Sequence, residues 1–161
     1  MTHLRNLLLG AIATLATPLA LAYSQERIEL GNLECFVDEG TGFIIGSTKD
    51  ISCVFTPLSE DRAHENYFGV INKYGLDIGK TEQAYLTWLV IAPTNAELGP
   101  GFLAGDYIGA TASASLAVGL GANVLVGGSN KTVALQPISV GTEVGFNIAA
   151  GIAEIELRSV E

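Results

Sequence analysis

Over most of this chain apolar and polar side chains alternate with a period of two, and no segment longer than a turn or two carries helical spacing. Successive side chains of a strand point to opposite faces, so alternation of this kind builds a wall with one apolar and one polar face. The clearest case is residues 112–126. Their even positions are Ala, Ala, Leu, Val, Leu, Ala, Val and Val, and their odd positions Ser113, Ser115, Ala117, Gly119, Gly121, Asn123 and Leu125. As one straight strand this stretch would reach about 50 Å, too far for a domain of this size, so a bend is expected at Gly119-Leu120-Gly121. The odd face is nearly bald, and Ser113, Ser115, Gly119 and Gly121 are taken as a candidate ligand or docking face.

The same logic places strands at 28–37, 49–56, 67–76, 83–92, 104–111, 132–140 and 143–157, separated by turn-forming clusters such as Asp38-Glu39-Gly40 and Asp77-Ile78-Gly79-Lys80. In 83–92 apolar residues fall on both parities (Leu86, Trp88, Val90 against Tyr85, Leu89, Ile91), so that strand is expected to be covered on both faces. In the last segment Val144, Phe146, Ile148 and Ile152 are even whereas Ile155 and Leu157 are odd. A bulge explains such a slip, and Ala150-Gly151 is the expected place for it. The fold class is all-β: a single small antiparallel β-barrel or curled β-sandwich of about eight or nine strands.

The front of the chain differs. A short basic start, MTHLRN, precedes the apolar run 7–22, which ends in Ala20-Leu21-Ala22 and gives way to the polar YSQER. The run is shorter than the roughly 20 residues that span a bilayer, and its end suits a signal peptidase. Residues 1–22 are therefore expected to be a cleavable signal peptide, residues 23–161 a single β domain, and the destination the periplasm. The net charge of −9 becomes more negative once Arg5 is removed, and the remaining cations stand singly. Nucleic acid and anionic membrane surfaces, which select clustered Lys and Arg, are poor partners.

Export permits a disulfide between Cys35 and Cys53, whose flanks, LECFV and ISCVF, are alike. If residues 42–46 formed a strand between them, the two cysteines would lie near 10 Å apart, beyond bridging distance. The bridge needs that segment outside the ladder; otherwise the two are separate buried thiols.

Tests for catalysis and cofactors are largely negative. In the stretch LGANVLVGGSNKTVALQP, residues 120–137, Asn130 precedes Lys131-Thr132 where a phosphate loop needs glycine. Leu125 occupies the earlier glycine's place, and a strand follows instead of a helix. It reads as a hairpin tip with glycine and asparagine accepting positive φ. His64 is the single histidine after the signal segment, and no G-x-S-x-G surrounds a serine. Histidines and cysteines are too few for a zinc site, so no cofactor, metal or catalytic residue is assigned.

Three combinations, residues 42–50 (GFIIGSTKD) with Cys53, residues 74–79 (YGLDIG), and residues 126–130 (VGGSN) with 134–137 (ALQP), together resemble the family catalogued as domain of unknown function 992, small exported proteins of Gram-negative bacteria. The resemblance implies a periplasmic or envelope location and brings no activity. The leading expectation is a non-enzymatic envelope protein that binds a protein partner or an apolar or lipid ligand. Two alternatives stand beside it. One is an outer-membrane β-barrel with Lys73, Asp77 and Glu82 lining a lumen, against which the scattered aromatics count. The other is a hydrolase using two of Asp77, Glu82 and Asp106.

Overall fold

A computed structural model describes residues 26–37, 48–74, 84–109, 123–138 and 152–160. They form eight strands: β1 (Arg27–Val37), β2 (Lys49–Pro57), β3 (Glu65–Tyr74), β4 (Ala84–Pro93), β5 (Gly105–Gly109), β6 (Leu125–Gly127), β7 (Val133–Pro137) and β8 (Ile152–Ser159). All neighbours are antiparallel, and the order β1-β2-β3-β8-β5-β6-β7-β4 closes through pairing of β4 with β1. The architecture is thus a closed barrel and not a sandwich. Closure leaves no open sheet edge where neighbouring strands pair; the start of β1, before Gly31↔Pro57, extends past its pairing with β2.

Alternation sorts the side chains. Leu33, Cys35 and Val37 of β1, Ile51, Cys53 and Phe55 of β2, and Leu86, Trp88 and Val90 of β4 point inward and are buried. Register puts them in layers: Trp88, Leu33 and Phe55 lie opposite one another across three strands, and Leu86, Cys35, Cys53 and Tyr67 across four. Glu34, Asp50, Asp106 and Arg158 stand exposed on the outer wall, where Arg158 binds Glu156 at 2.5 Å. This apolar-in, charged-out arrangement is the reverse of the lipid-facing band of a transmembrane barrel.

A second buried cluster, Ile91, Val124, Val126 and Ala134, with Leu89 packed against it, lies on the opposite parity of β4, β6 and β7. β4 is therefore covered on both faces from Thr87 to Pro93, while Tyr85 remains 73% exposed.

Cys35 and Cys53 are directly opposed in the β1–β2 register and joined by a disulfide, with Cα atoms 4.0 Å apart. No strand stands between β1 and β2, which meets the condition for bridging. Residues 42–46 themselves, like the signal segment 1–22, lie outside the described residues.

The slip of alternation between Ile152 and Ile155 is accounted for inside β8, whereas Ala150-Gly151, its expected place, lies outside the described residues. Ile71 pairs with Ile155, Lys73 with Glu154 and Tyr74 with Ile152, so compensating irregularities at Asn72 and Ala153 let Ile152 and Ile155 both reach the core. In the hairpin between β6 and β7 the non-glycine residue with positive φ is Lys131 (φ 54°), not Asn130, alongside Gly128 (φ 81°). The Lys131 N–H donates to the Gly128 carbonyl at 3.0 Å, and the chain runs straight into β7 with no helix to hold an anion.

Candidate functional site

Strand directions divide the barrel into two mouths. At one, β1 hands over to β2, β3 to β4, β5 to β6 and β7 to β8, and those four connections lie outside the described residues. The proposed face of Ser113, Ser115, Gly119 and Gly121 belongs to the β5–β6 connection, and Asp77 and Glu82 to the β3–β4 connection. Asp106 is described. It stands exposed on the outer wall of β5, opposite Glu156, which Arg158 already engages.

The other mouth is built from the start of β1, the β2–β3 loop, the β4–β5 connection and the β6–β7 turn. Between β4 and β5 stand β7 and β6, so the connecting chain must cross roughly 14 Å of barrel mouth at about 4.8 Å per strand. It does so by inserting Phe102 and Leu103, which are 3% and 0% exposed. The Phe102 ring meets Phe55 edge-on at 5.4 Å, and the Arg62 guanidinium lies 5.0 Å from its centroid. Arg62 Nη2 also donates to the Leu98 carbonyl at 3.1 Å.

A chain crossing an apolar mouth must find partners for its backbone groups. The Gly101 N–H donates to Glu65 Oε2 at 3.0 Å, and the Tyr67 hydroxyl donates to the same oxygen while accepting the Leu103 N–H at 3.4 Å. The Tyr107 hydroxyl donates to the Leu103 carbonyl at 2.9 Å, and Ser129 Oγ to the Phe102 carbonyl at 3.1 Å. Burial first, and then the hydrogen bond to Glu65, push the Tyr67 phenol far above the ordinary tyrosine range. Burial and the neighbouring Tyr67 do the same to Tyr107. Both hydroxyls are protonated clamps at neutral pH and unsuited to act as bases.

Outside this plug runs a groove of about 530 Å³. β1 supplies Ile28, Glu29 and Leu30 to one wall; Pro57, Leu58, Ser59, Asp61 and Arg62 supply the other. The walls diverge because β1 and β2 pair only from Gly31↔Pro57 onward, with one further bond from the Leu58 N–H to the Leu30 carbonyl. Beyond it β1 continues along β4 through Ile28↔Ala92 and Glu29↔Ile91 with no strand on its β2 side among the described residues. Ile28 and Leu58 are exposed at 43% and 63%. Nearby, His64 is an exposed loop residue with Nδ1 3.5 Å from Thr56 Oγ1, longer than the roughly 2.6–3.2 Å of a nucleophile–base pair.

A third surface feature crosses the middle of the outer wall. Tyr85, Phe36, Ser52, Phe68 and Arg158 are consecutive cross-strand partners, and the Phe36 and Tyr85 rings meet at 5.2 Å. Among the described residues no group of three or more His, Cys, Asp or Glu comes together to hold a metal.

Sequence reasoning missed the plug and its clamps. The signals were present: Phe102-Leu103 is an apolar pair stranded in a Gly/Pro-rich connection, and Glu65 shares inward parity with Tyr67 and Ile71. An acid on the apolar parity of a strand needs a donor, and here it has two.

Comparison with known proteins gives one family. The model of a family described as protein of unknown function (DUF992) matches residues 14–158. No curated protein matches, and no solved structure does.

Proposed function

Because the chain belongs to the DUF992 family, whose description assigns no activity, its role must be read from geometry, and we propose a non-enzymatic binding module of the cell envelope that engages a partner through its outer surface. The observation that carries this reading is the filled interior of the described barrel. Leu33, Phe55, Ile71, Leu86, Trp88, Val90, Tyr107 and Leu125 all have zero accessibility. A side chain that no water-sized sphere can touch borders no space for a ligand. Carriage of a lipid or other apolar molecule within the described barrel is therefore the weaker of the two binding readings.

The outer-membrane reading is disfavoured by the same pattern, since Glu34, Asp50, Asp106 and Glu156 would face lipid at a cost. The hydrolase reading loses support because Asp106 faces outward beside a salt-bridged carboxylate. The disulfide fits an oxidising compartment outside the cytoplasm, and we place that compartment in the periplasm, reached through removal of residues 1–22.

Native mass spectrometry of the protein, purified without detergent and incubated with phospholipid vesicles, tests the proposal. The expected result is the bare mass of the processed chain. A stoichiometric lipid adduct, or a need for detergent to keep the protein dispersed, would overturn it.

A further inference from the structure

The groove beside the plugged mouth combines three independent features: a concavity, a stretch of strand edge with no partner strand among the described residues, and exposed apolar side chains next to carboxylates. From them we infer that it is a strand-addition site for an extended, apolar and cationic peptide segment of a partner protein, an inference that rests on the outer-surface reading above.

The edge comes first. A closed barrel normally offers no edge for another chain to pair with, yet here β2 leaves β1 after Pro57 and the Leu58–Leu30 hydrogen bond. Ile28 and Glu29 thus have β4 on one side and the groove on the other. Strand addition at such an edge draws affinity from main-chain hydrogen bonds and specificity from alternate side chains of the incoming segment. The groove volume of about 530 Å³ falls within the roughly 300–1,000 Å³ of ligand sites.

The lining sets the chemistry of the occupant. Ile28 and Leu58, both large and exposed, offer apolar contact on opposite walls. Glu29 and Asp61 are exposed on those walls, and Glu26, Arg27 and Glu60 stand beside them in the chain, so acids outnumber cations there. The cation among the lining residues, Arg62, is engaged by the Leu98 carbonyl and the Phe102 ring. The charge complement is a segment carrying Lys or Arg alternating with apolar residues. A cation at the groove then gains from both carboxylates, and such attraction also speeds encounter with this acidic protein.

The test uses the purified protein and a fluorescent hexapeptide alternating lysine and valine, followed by anisotropy. Saturable binding is expected, weakened by added salt. Methylating the peptide's backbone nitrogens should weaken it about tenfold, through lost main-chain hydrogen bonds. The double variant Glu29→Lys/Asp61→Lys, at exposed positions that leave the fold intact by circular dichroism, should weaken it at least about fivefold. A glutamate–valine peptide should not bind. Absence of binding, indifference to N-methylation or indifference to the double variant would each overturn the inference. A concentration-dependent dimer abolished by the same double variant would also overturn it, by making a second copy the occupant. Failure of the peptide together with a bare mass in phospholipid removes only this site; a lipid adduct removes the outer-surface reading itself.

Discussion

Cys35 and Cys53 face each other across β1 and β2, and their bridge lies inside the barrel between Leu86 and Tyr67. It ties together two strands that already pair in register, so its effect falls on the unfolded chain, whose 18-residue separation it closes. That constraint is worth about 3 kcal/mol.

Cys35→Ala/Cys53→Ala should therefore retain the β-rich circular dichroism spectrum and unfold with a midpoint lowered by an amount equivalent to about 2–4 kcal/mol. Urea titration of the two proteins checks this. Reduction of the native protein should produce a loss of the same size.

Tyr67 and Tyr107 hold their protons more tightly in the folded chain than in the unfolded one. Their contribution is complete below the ordinary tyrosine pKa of 10.0 and is lost as pH rises above it toward the folded values. For Tyr107 the loss is about 1.4 kcal/mol per pH unit. Phenolate absorbance should show these two tyrosines ionising only as the chain unfolds. Tyr67→Phe, which leaves the Leu103 N–H without its acceptor, should cost about 1–3 kcal/mol at neutral pH.

The plug is predicted to contribute as a core element. Phe102→Ala removes the edge contact with Phe55 and the surface under Arg62 and should cost about 3–5 kcal/mol in urea unfolding. Arg62→Lys keeps the charge, loses the planar guanidinium over Phe102, and should cost about 0.5–1 kcal/mol, the value of one exposed cation–π contact.

How much of this was legible in the sequence divides along physical lines. Alternation located strands close to β1, β2, β3 and β4, because inward residues such as Leu33, Ile51 and Trp88 repeat every second position. The similar flanks of Cys35 and Cys53 pointed to their pairing for the same reason. What alternation does not encode is which strand lies next to which. The pairing of β3 with β8 and of β8 with β5 joins segments far apart in the chain, and only that order forces the β4–β5 connection across the mouth. The plug and the groove are consequences of topology, and so was their invisibility to a local reading. The bald face of Ser113, Ser115, Gly119 and Gly121 was the more conspicuous feature in one dimension, and it lies outside the described residues.

Two glycines test the close approaches that this topology demands. A Cβ on Gly31 would stand 2.2 Å from the Thr56 carbonyl oxygen, and one on Gly127 1.9 Å from that of Asp106. Both obstacles are backbone of the neighbouring strand, so Gly31→Ala and Gly127→Ala must part β1 from β2 and β6 from β5. Each should cost about 1–3 kcal/mol or more, read as a lowered thermal midpoint.

The central claim, that the barrel interior is filled and binding happens outside it, is tested most directly through Trp88, the chain's single tryptophan, which is fully buried between Leu33 and Leu135-bearing walls of the core. Brominated fatty acids quench indole fluorescence on contact. The account predicts blue-shifted Trp88 emission that these probes leave unchanged at saturating concentration. Stoichiometric quenching of Trp88 in a protein that remains folded would contradict it.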